Sequence, residues 1–461
     1  MVKFNQVQVL SALAMKILFV QPSLGIKFSS IRKKFLYKVL QSIEADEFHY
    51  LHLSVYYIAA ITPCKHSIKI IDERFKKVDF KENCDLVVIT CSTPFAPRAY
   101  ELSNEFRKGG KTVVLAGPHP TLFPDEALQH ADSIIIGEVD VSWINLLEDV
   151  EAGNLKSIYR NERPSLSDIK KSKREIPGFF FMPTRIETSR GCPNACLFCL
   201  VPVIDGRTHR VRDIEDILEE IKGTKNRFIN FDDPSLTINP EYTKNLFKRM
   251  RRLKKKFFCC GNVDVLNVDD ELLKLAKDAG CIAWFVGFES FNPKSLKESG
   301  KKTNDVSRYE TVVKKIHGHG MAVIGSFIFG FDSDTIDTFD FTLEMVNKIG
   351  LDSVTFNILG VYPNTPLFKK LKEEGRIITE DWSDYNFCKA TYIPRQMSAD
   401  ELEKGTLRVA MEFYSWKNIL KRSLFALRLG MYPFFFITIR NIMFRWFYKS
   451  WEKCCRSSSG D

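Results

Sequence analysis

The 461-residue chain lacks an apolar run long enough to cross a membrane, and it lacks a recognisable signal peptide. The longest uncharged run of its aromatic C-terminal segment, Leu429 to Ile439, has eleven residues, whereas a membrane span needs about 20. Its twelve cysteines are mostly irregularly spaced, which does not fit the disulfide framework of a small secreted protein. We therefore expect a cytoplasmic protein.

Low-complexity segments are also absent. Hydrophobic residues make up 44% of the chain and charged residues 27%, which excludes a disordered protein and predicts two or three domains. The net charge is +10, but residues 415–461 alone carry nine Lys and Arg against two acidic residues, or +7. The positive charge therefore belongs to the C-terminal tail, and we expect no nucleic-acid partner.

The first part of the chain, residues 15–150, alternates short apolar runs with segments of helical periodicity. The strand-like runs span 16–23, 67–73, 85–93, 112–120 and 133–140. Each is apolar on both faces, which is typical of central parallel strands. We expect a doubly wound parallel α/β domain with its ligand crevice beyond the carboxyl ends of the strands. Residues 1–14 are interpreted as an N-terminal extension that begins at an early start codon.

A polar, proline-containing linker is predicted over residues 151–183, followed by a second α/β series over 184–395. This series contains six strand-like runs with no seventh or eighth, which predicts a partial (β/α)6 barrel. Residues 396–461 form a helical, basic and aromatic region. Two interpretations of that region stay open: a helix lying in the plane of a membrane, or a helix packed across the open side of the barrel.

The motif with the clearest chemistry is Cys192-Pro-Asn-Ala-Cys196-Leu-Phe-Cys199, which directly follows the first strand of the second series. Soft thiolates bind zinc or iron–sulfur clusters. A closed zinc site needs four protein ligands, and the next candidates are His209, and Cys259 or Cys260 far along the chain. Three cysteines on a four-iron cluster leave one iron open to another ligand. A zinc site or a structural role is the alternative.

This CxxxCxxC motif on the first loop of a six-fold barrel resembles that of the radical S-adenosylmethionine (SAM) enzymes. In that family a 4Fe-4S cluster cleaves SAM, and the resulting 5′-deoxyadenosyl radical abstracts hydrogen from the substrate. The stretches 228–239, 286–290, 325–335 and 362–368 resemble the family's second-, fourth-, fifth- and sixth-strand motifs. The resemblance implies that the Phe198 main chain faces the adenine of SAM. It also places Asp232, Asp233 and Glu289 at SAM-facing strand ends.

The order of the two series resembles the cobalamin-binding subgroup of the radical SAM enzymes, and residues 116–140 are similar to that subgroup's fourth- and fifth-strand pattern. The residues that the resemblance places against cobalamin are Ser92, Thr93, Gly117, His119, Thr121, Gly137 and Glu138. The chain has no Asp-x-His-x-x-Gly loop, whose histidine binds cobalt in other cobalamin proteins. We therefore expect the prolines beside His119 to hold it in a rigid loop at the periphery of the ring. A first domain that binds nothing is the alternative.

The resemblance implies a methyltransferase that acts on an unactivated carbon of a small-molecule or lipid-like substrate. It also implies a one-electron reductant such as flavodoxin or ferredoxin. Two alternatives stay open: a radical SAM enzyme without cobalamin that catalyses a cyclisation or rearrangement, and a membrane-associated iron–sulfur protein without activity. The basic, aromatic tail favours contact with a membrane surface. The substrate itself has no motif in the sequence.

Overall fold

The computed structural model describes residues 14–23, 53–168, 184–386 and 388–458. These residues divide into two compact units, the first ending at Glu162 and the second beginning at Arg163. The expected extension, residues 1–14, lies outside the described residues except for its last position.

The first unit is built on one parallel sheet. Its strands are β1 (Lys16–Gln21), β2 (Ser67–Asp72), β3 (Leu86–Thr90), β4 (Thr112–Ala116), β5 (Ser133–Ile136) and β6 (Ile158–Arg160). Its helices are α1 (Leu53–Ile61), α2 (Ala96–Lys108), α3 (Pro118–Leu122), α4 (Pro124–Gln129) and α5 (Val139–Glu151). The strand order β2-β1-β3-β4-β5-β6 reverses direction between β1 and β3, which confirms the predicted doubly wound fold.

The sixth strand, β6, was not expected, because the sequence predicts a linker from residue 151. β6 pairs in parallel with β5 through Ile134 and Ile158, and only its central residue, Tyr159, is buried. A three-residue strand with one buried side chain has no apolar run to reveal it.

The second unit is built on six parallel strands and a two-stranded ribbon. The parallel strands are β7 (Thr184–Ile186), β10 (Phe228–Phe231), β11 (Lys256–Gly261), β12 (Cys281–Glu289), β13 (Ala322–Phe329) and β14 (Ser353–Ile358). The ribbon consists of β8 (Ser189–Arg190) and β9 (Arg210–Val211). The parallel sheet has the order β14-β13-β12-β11-β10-β7, and its two edge strands do not pair with each other. This confirms the predicted partial barrel.

The helices of this unit lie between its strands in the chain or follow β14. They are α6 (Val201–Ile204), α7 (Ile214–Gly223), α8 (Pro240–Met250), α9 (Val263–Val268), α10 (Asp270–Ala279), α11 (Pro293–Ser299), α12 (Tyr309–Gly318), α13 (Asp337–Lys348), α14 (Pro366–Glu373), α15 (Ala399–Phe413), α16 (Trp416–Ala426) and α17 (Met431–Ser458). Along each strand, every second side chain points to the outer face of the sheet. Phe257 and Trp284 are large side chains of this kind and are fully buried there.

The last helix, α17, is held on strand β14. Asn441 Nδ2 donates to the Asp352 carbonyl oxygen at 2.9 Å, and Tyr448 Oη accepts from the Phe356 amide at 3.1 Å. Arg440 is buried and donates to the hydroxyls of Ser353 and Thr355. Of the two interpretations of the C-terminal region, the structure therefore favours packing across the open edge of the barrel. Among the described residues, no helix has the length and apolarity required of a membrane span.

Candidate active site

The cysteine loop leaves the barrel through a glycine that no other residue could replace. Gly191 has a φ of +82°, and a Cβ there would lie 2.2 Å from the Thr208 carbonyl oxygen. The next residue, Cys192, donates its amide to the Gly206 carbonyl oxygen at 3.0 Å. The β8–β9 ribbon therefore fixes the start of the loop at the carboxyl end of strand β7.

The middle of the loop is fixed by the main chain of Leu197. Its amide donates to the Ser299 carbonyl oxygen at 2.9 Å, and its carbonyl oxygen accepts from the Leu367 amide at 3.1 Å. Gly300 makes room for this approach, since a Cβ there would lie 3.0 Å from the Ala195 carbonyl oxygen. The ring of Phe198 packs edge-on against Phe331, with ring centroids 6.5 Å apart. That its main chain faces an adenine stays a prediction.

The three thiols of the loop form the donor set. Cys192 is buried, Cys196 and Cys199 are half-buried, and none of the three is in a disulfide. Burial raises the pKa of Cys196 to about 11 and that of Cys199 to about 12, so a metal must displace their protons. Within the described part of the chain, no three His, Cys, Asp or Glu side chains are arranged to hold a single ion. Three soft donors on one loop suit a cluster whose separate irons each take one thiolate.

The cysteines outside the loop have different environments. Cys259 is fully buried on the outer face of β11 and is hydrogen-bonded to Cys281. Its neighbour Cys260 is half-buried on the opposite face. Cys84, Cys91 and Cys281 are buried, whereas Cys64 is exposed. Cys64 directly follows a proline at the end of α1, where the chain turns towards β2.

Glu289, predicted at a SAM-facing strand end, lies at the end of β12 beside the thiols. Its backbone has a φ of +63°, and the register with β13 shifts between Gly287 and Glu289. The Lys301 ammonium donates to Glu289 Oε1 at 2.6 Å and to the Gly287 carbonyl oxygen at 2.7 Å. Both charged groups influence the pKa of Cys196, which places them close to the cysteine loop. Lys301 therefore holds the Glu289 carboxylate at the end of β12, beside the cysteine loop.

The adjacent acids Asp232 and Asp233 have different environments. Asp232 forms an ion pair with Arg185 at 2.6 Å on the inner face of the barrel. Asp233 is buried and accepts hydrogen bonds from the Thr188 amide and hydroxyl and from the Ser189 hydroxyl. Burial outweighs these bonds and raises the pKa of Asp233 to about 7. The oxygens of Asp233 therefore fix the chain before the cysteine loop, and its place at a SAM-facing strand end stays a prediction.

In the first unit, the predicted cobalamin residues gather at the carboxyl edge of β3, β4 and β5. Thr121 joins two of the loops, since its hydroxyl donates to the Gly117 carbonyl oxygen at 2.9 Å and accepts from the Gly137 amide at 3.0 Å. Gly117 and Gly137 have φ values of +117° and +94°. Glycine adopts these conformations without strain. Because neither residue has a side chain, a ligand could approach the backbone of both loops closely at the strand ends.

Three of these residues have buried side chains. His119 is fully buried, with Nε2 2.9 Å from the Tyr100 hydroxyl and Nδ1 3.4 Å from the Thr93 hydroxyl. Thr93 is buried as well, as is most of Glu138, whereas Ser92 is half-buried. Both ring nitrogens of His119 therefore lie near hydroxyl groups inside the unit, and the place of its loop at the periphery of a corrin stays a prediction.

The structure adds three site residues that sequence reasoning missed. They are Lys301, Arg185 and Asn161, the last of which exchanges two hydrogen bonds with the main chain of Glu138. Each acts on a residue between 12 and 47 positions away along the chain. No motif or periodicity links such pairs. Asn161 also lies in the segment predicted to be a linker.

The comparisons with known proteins agree with this geometry. Residues 186–346 match the family model described as the radical SAM superfamily. The bacteriochlorophyllide d C-8(2)-methyltransferase of Chlorobaculum tepidum is 32% identical over 401 residues, which cover 81% of this chain and 88% of that protein. The bacteriochlorophyllide d C-12(1)-methyltransferase of the same organism is 29% identical over 394 residues, covering 80% and 84%. The chain belongs to the radical SAM superfamily.

A solved structure shares the fold over most of the chain. The radical SAM methyltransferase TsrM from Kitasatospora setae, solved with cobalamin and a [4Fe-4S] cluster bound, superposes with a TM-score of 0.59 over 78% of each chain, at 15% identity. As a radical SAM enzyme, this chain uses a 4Fe-4S cluster and SAM. Cys192, Cys196 and Cys199 are the residues that fit that cluster, because the loop offers three thiols and the iron without a protein ligand can take SAM.

Proposed function

We propose that the protein is a cobalamin-dependent radical SAM methyltransferase that methylates an unactivated carbon of a small-molecule or lipid-like substrate. The observation that carries the proposal is the three-thiol loop, fixed at the carboxyl end of the first strand of a partial barrel. The two relatives from Chlorobaculum tepidum are methyltransferases, which favours methylation over cyclisation or rearrangement.

The cofactors would supply one-electron cleavage of SAM and a transferable methyl group, and the residues of the chain bind and orient them. Cys192, Cys196 and Cys199 would hold the cluster. Lys301 keeps the Glu289 carboxylate in one orientation beside them. The corrin would lie against the Gly117 and Gly137 loops, which the Thr121 hydroxyl joins. TsrM, which shares the fold, has cobalamin bound, and this supports the assignment of the first unit.

Two partners belong to the proposal. Reductive cleavage of SAM needs one electron from outside the chain, so we propose a flavodoxin- or ferredoxin-like donor. We also propose that the C-terminal region touches a membrane surface peripherally, because its residues 415–461 carry a net charge of +7 and many aromatic side chains.

The decisive experiment is anaerobic reconstitution of the full chain with iron and sulfide, followed by SAM and a chemical reductant. We expect 5′-deoxyadenosine in the wild type and neither cluster absorbance nor 5′-deoxyadenosine in Cys196→Ala. Cys388→Ala, a half-buried thiol outside the cysteine loop, is the matched control and keeps both. A wild-type chain that carries an intact cluster but forms no 5′-deoxyadenosine would contradict the proposal.

A second candidate is a radical SAM enzyme whose first unit has lost cobalamin. The buried side chains of His119 and Thr93 favour it, because they leave fewer polar groups for a corrin. The corrin content of the anaerobically purified protein separates the two candidates. Stoichiometric cobalamin supports the methyltransferase, and a corrin-free chain that still cleaves SAM supports the second candidate.

A further inference from the structure

Exposed apolar side chains are concentrated on the helical hairpin formed by α16 and α17. The described residues contain sixteen exposed large hydrophobic side chains, and nine of them lie between residues 416 and 446. We call these nine the apolar stripe: Trp416, Leu420, Leu424, Phe425, Leu427, Met431, Phe435, Ile439 and Trp446. Leu420 is 62% exposed and Met431 57%. Such a concentration of exposed apolar side chains within one segment is typical of an interaction site.

The spacing shows that the stripe follows one side of each helix. Trp416, Leu420 and Leu424 are four residues apart along α16, and Met431, Phe435 and Ile439 repeat the same spacing along α17. The two helices are neighbours, with the Arg445 guanidinium 5.1 Å from the Trp416 ring. Ile419 and Ile437 point the other way and are buried in the core clusters of the barrel. The hairpin is therefore apolar on both sides, and only one side has a partner in the fold.

The charge around the stripe has one sign. Between Glu412 and Glu452 the chain has seven basic residues and no acidic one. Arg422, Arg440 and Arg445 donate hydrogen bonds within the fold. The other four, Lys417, Lys421, Arg428 and Lys449, are exposed, and within the described part of the chain none of them forms an ion pair. An apolar strip flanked by exposed cations is complementary to a surface that is apolar inside and anionic at its edge.

We propose that the apolar stripe binds the surface of a lipid bilayer that contains anionic lipids, with α16 and α17 lying in the plane of the membrane. This proposal rests on the peripheral membrane contact in the proposed function, and it assigns that contact to the apolar stripe and to anionic headgroups. A second copy of the chain fits less well, because a symmetric contact would bring Lys417, Lys421 and Arg428 against their own copies.

Vesicle flotation of the full-length chain tests the proposal. Vesicles of phosphatidylcholine alone are compared with vesicles of phosphatidylcholine and phosphatidylglycerol. We expect flotation with the second kind only, and a loss of at least about tenfold in partitioning for Leu420→Asp/Leu424→Asp. Each charge reversal of Lys417, Lys421 or Arg428 is expected to weaken binding by roughly fivefold or more. Because the substituted side chains are exposed, the variants keep the wild-type unfolding midpoint.

The matched control is Val268→Asp/Ile336→Asp, which replaces two exposed apolar side chains elsewhere on the same unit and should float like the wild type. Equal flotation of Leu420→Asp/Leu424→Asp and the wild type would overturn the proposal. So would a wild-type dimer in the absence of lipid that these substitutions convert to monomer. Flotation needs neither cluster nor SAM, so its failure leaves 5′-deoxyadenosine formation, the test of the proposed function, unaffected.

Discussion

The ammonium group of Lys301 lies 2.6 Å from the Glu289 carboxylate, and both side chains are about nine-tenths buried. The same ammonium binds the Gly287 carbonyl oxygen at 2.7 Å, where the register of strand β12 shifts. One lysine from the loop after α11 therefore fixes both the carboxylate and the irregular strand end that carries it. This contact lies beside the cysteine loop, so its removal should lower both the stability of the fold and the rate of SAM cleavage.

Lys301→Met should lower the free energy of unfolding by about 2–4 kcal/mol, because it leaves the Glu289 carboxylate buried without its cation. SAM cleavage should fall by roughly tenfold or more, as is usual when a residue that supports a metal site is lost. Urea unfolding and the 5′-deoxyadenosine assay measure the two effects. The exposed neighbour Lys302 provides the control Lys302→Met. The double variant Lys301→Met/Glu289→Gln should recover part of the stability, and no recovery would contradict the pairing.

Thr121→Val should loosen the two loops of the first unit that are proposed to hold the corrin. The substitution keeps the shape of the side chain but removes the bonds to the Gly117 carbonyl oxygen and the Gly137 amide. We expect a loss of about 1–2 kcal/mol in stability and a lower cobalamin content after purification. Thr112→Val, in strand β4, is the control. If Thr121→Val is less stable but keeps its corrin content, the contacts of Thr121 support the fold of the loops and not cobalamin binding, which would contradict the prediction.

Much of the fold follows from the sequence because parallel strands buried on both faces are continuous apolar runs. Leu86–Thr90 and Ala322–Phe329 are entirely buried, and both were predicted as strands. Counting six such runs in the second series was enough to predict an open barrel. The cysteine ligands were predicted for a similar reason, because CxxxCxxC places the three thiols within eight residues on one loop.

The rest depends on contacts between residues that are far apart in the sequence. Neighbouring acids such as Asp232 and Asp233 look alike in the sequence, yet one pairs with Arg185 and the other binds Thr188 and Ser189. The burial of His119 depends on Tyr100, which lies one helix earlier. Periodicity and motif spacing contain no information on such pairs, so their roles became visible only in the structure.

Asp233 should make the stability of the cluster-free protein depend on pH. Burial raises its pKa to about 7 in the folded chain, against an ordinary value of 3.8, so the folded state binds more protons between these values. The stability that Asp233 contributes is therefore fully present below pH 3.8 and is lost as the pH rises to about 7. Asp233→Asn cannot titrate, so its stability deficit relative to the wild type should shrink as the pH rises through this window. Urea unfolding at several pH values measures the deficit, and a deficit that grows with pH would refute the assignment.

Arg440→Met should show whether α17 is held on the barrel through its buried guanidinium. Arg440 donates to the Ser353 and Thr355 hydroxyls and lies 3.9 Å from the centre of the Phe444 ring. Methionine keeps most of the apolar contact but removes these donors, so we expect a loss of about 2–3 kcal/mol in the free energy of unfolding. Lys449→Met, an exposed position on the same helix, should leave stability unchanged. Because Arg440 faces the barrel, Arg440→Met should float with anionic vesicles as the wild type does. Unchanged stability would mean that α17 does not depend on this contact, and its packing would then rest on Asn441, Tyr448 and its apolar side chains.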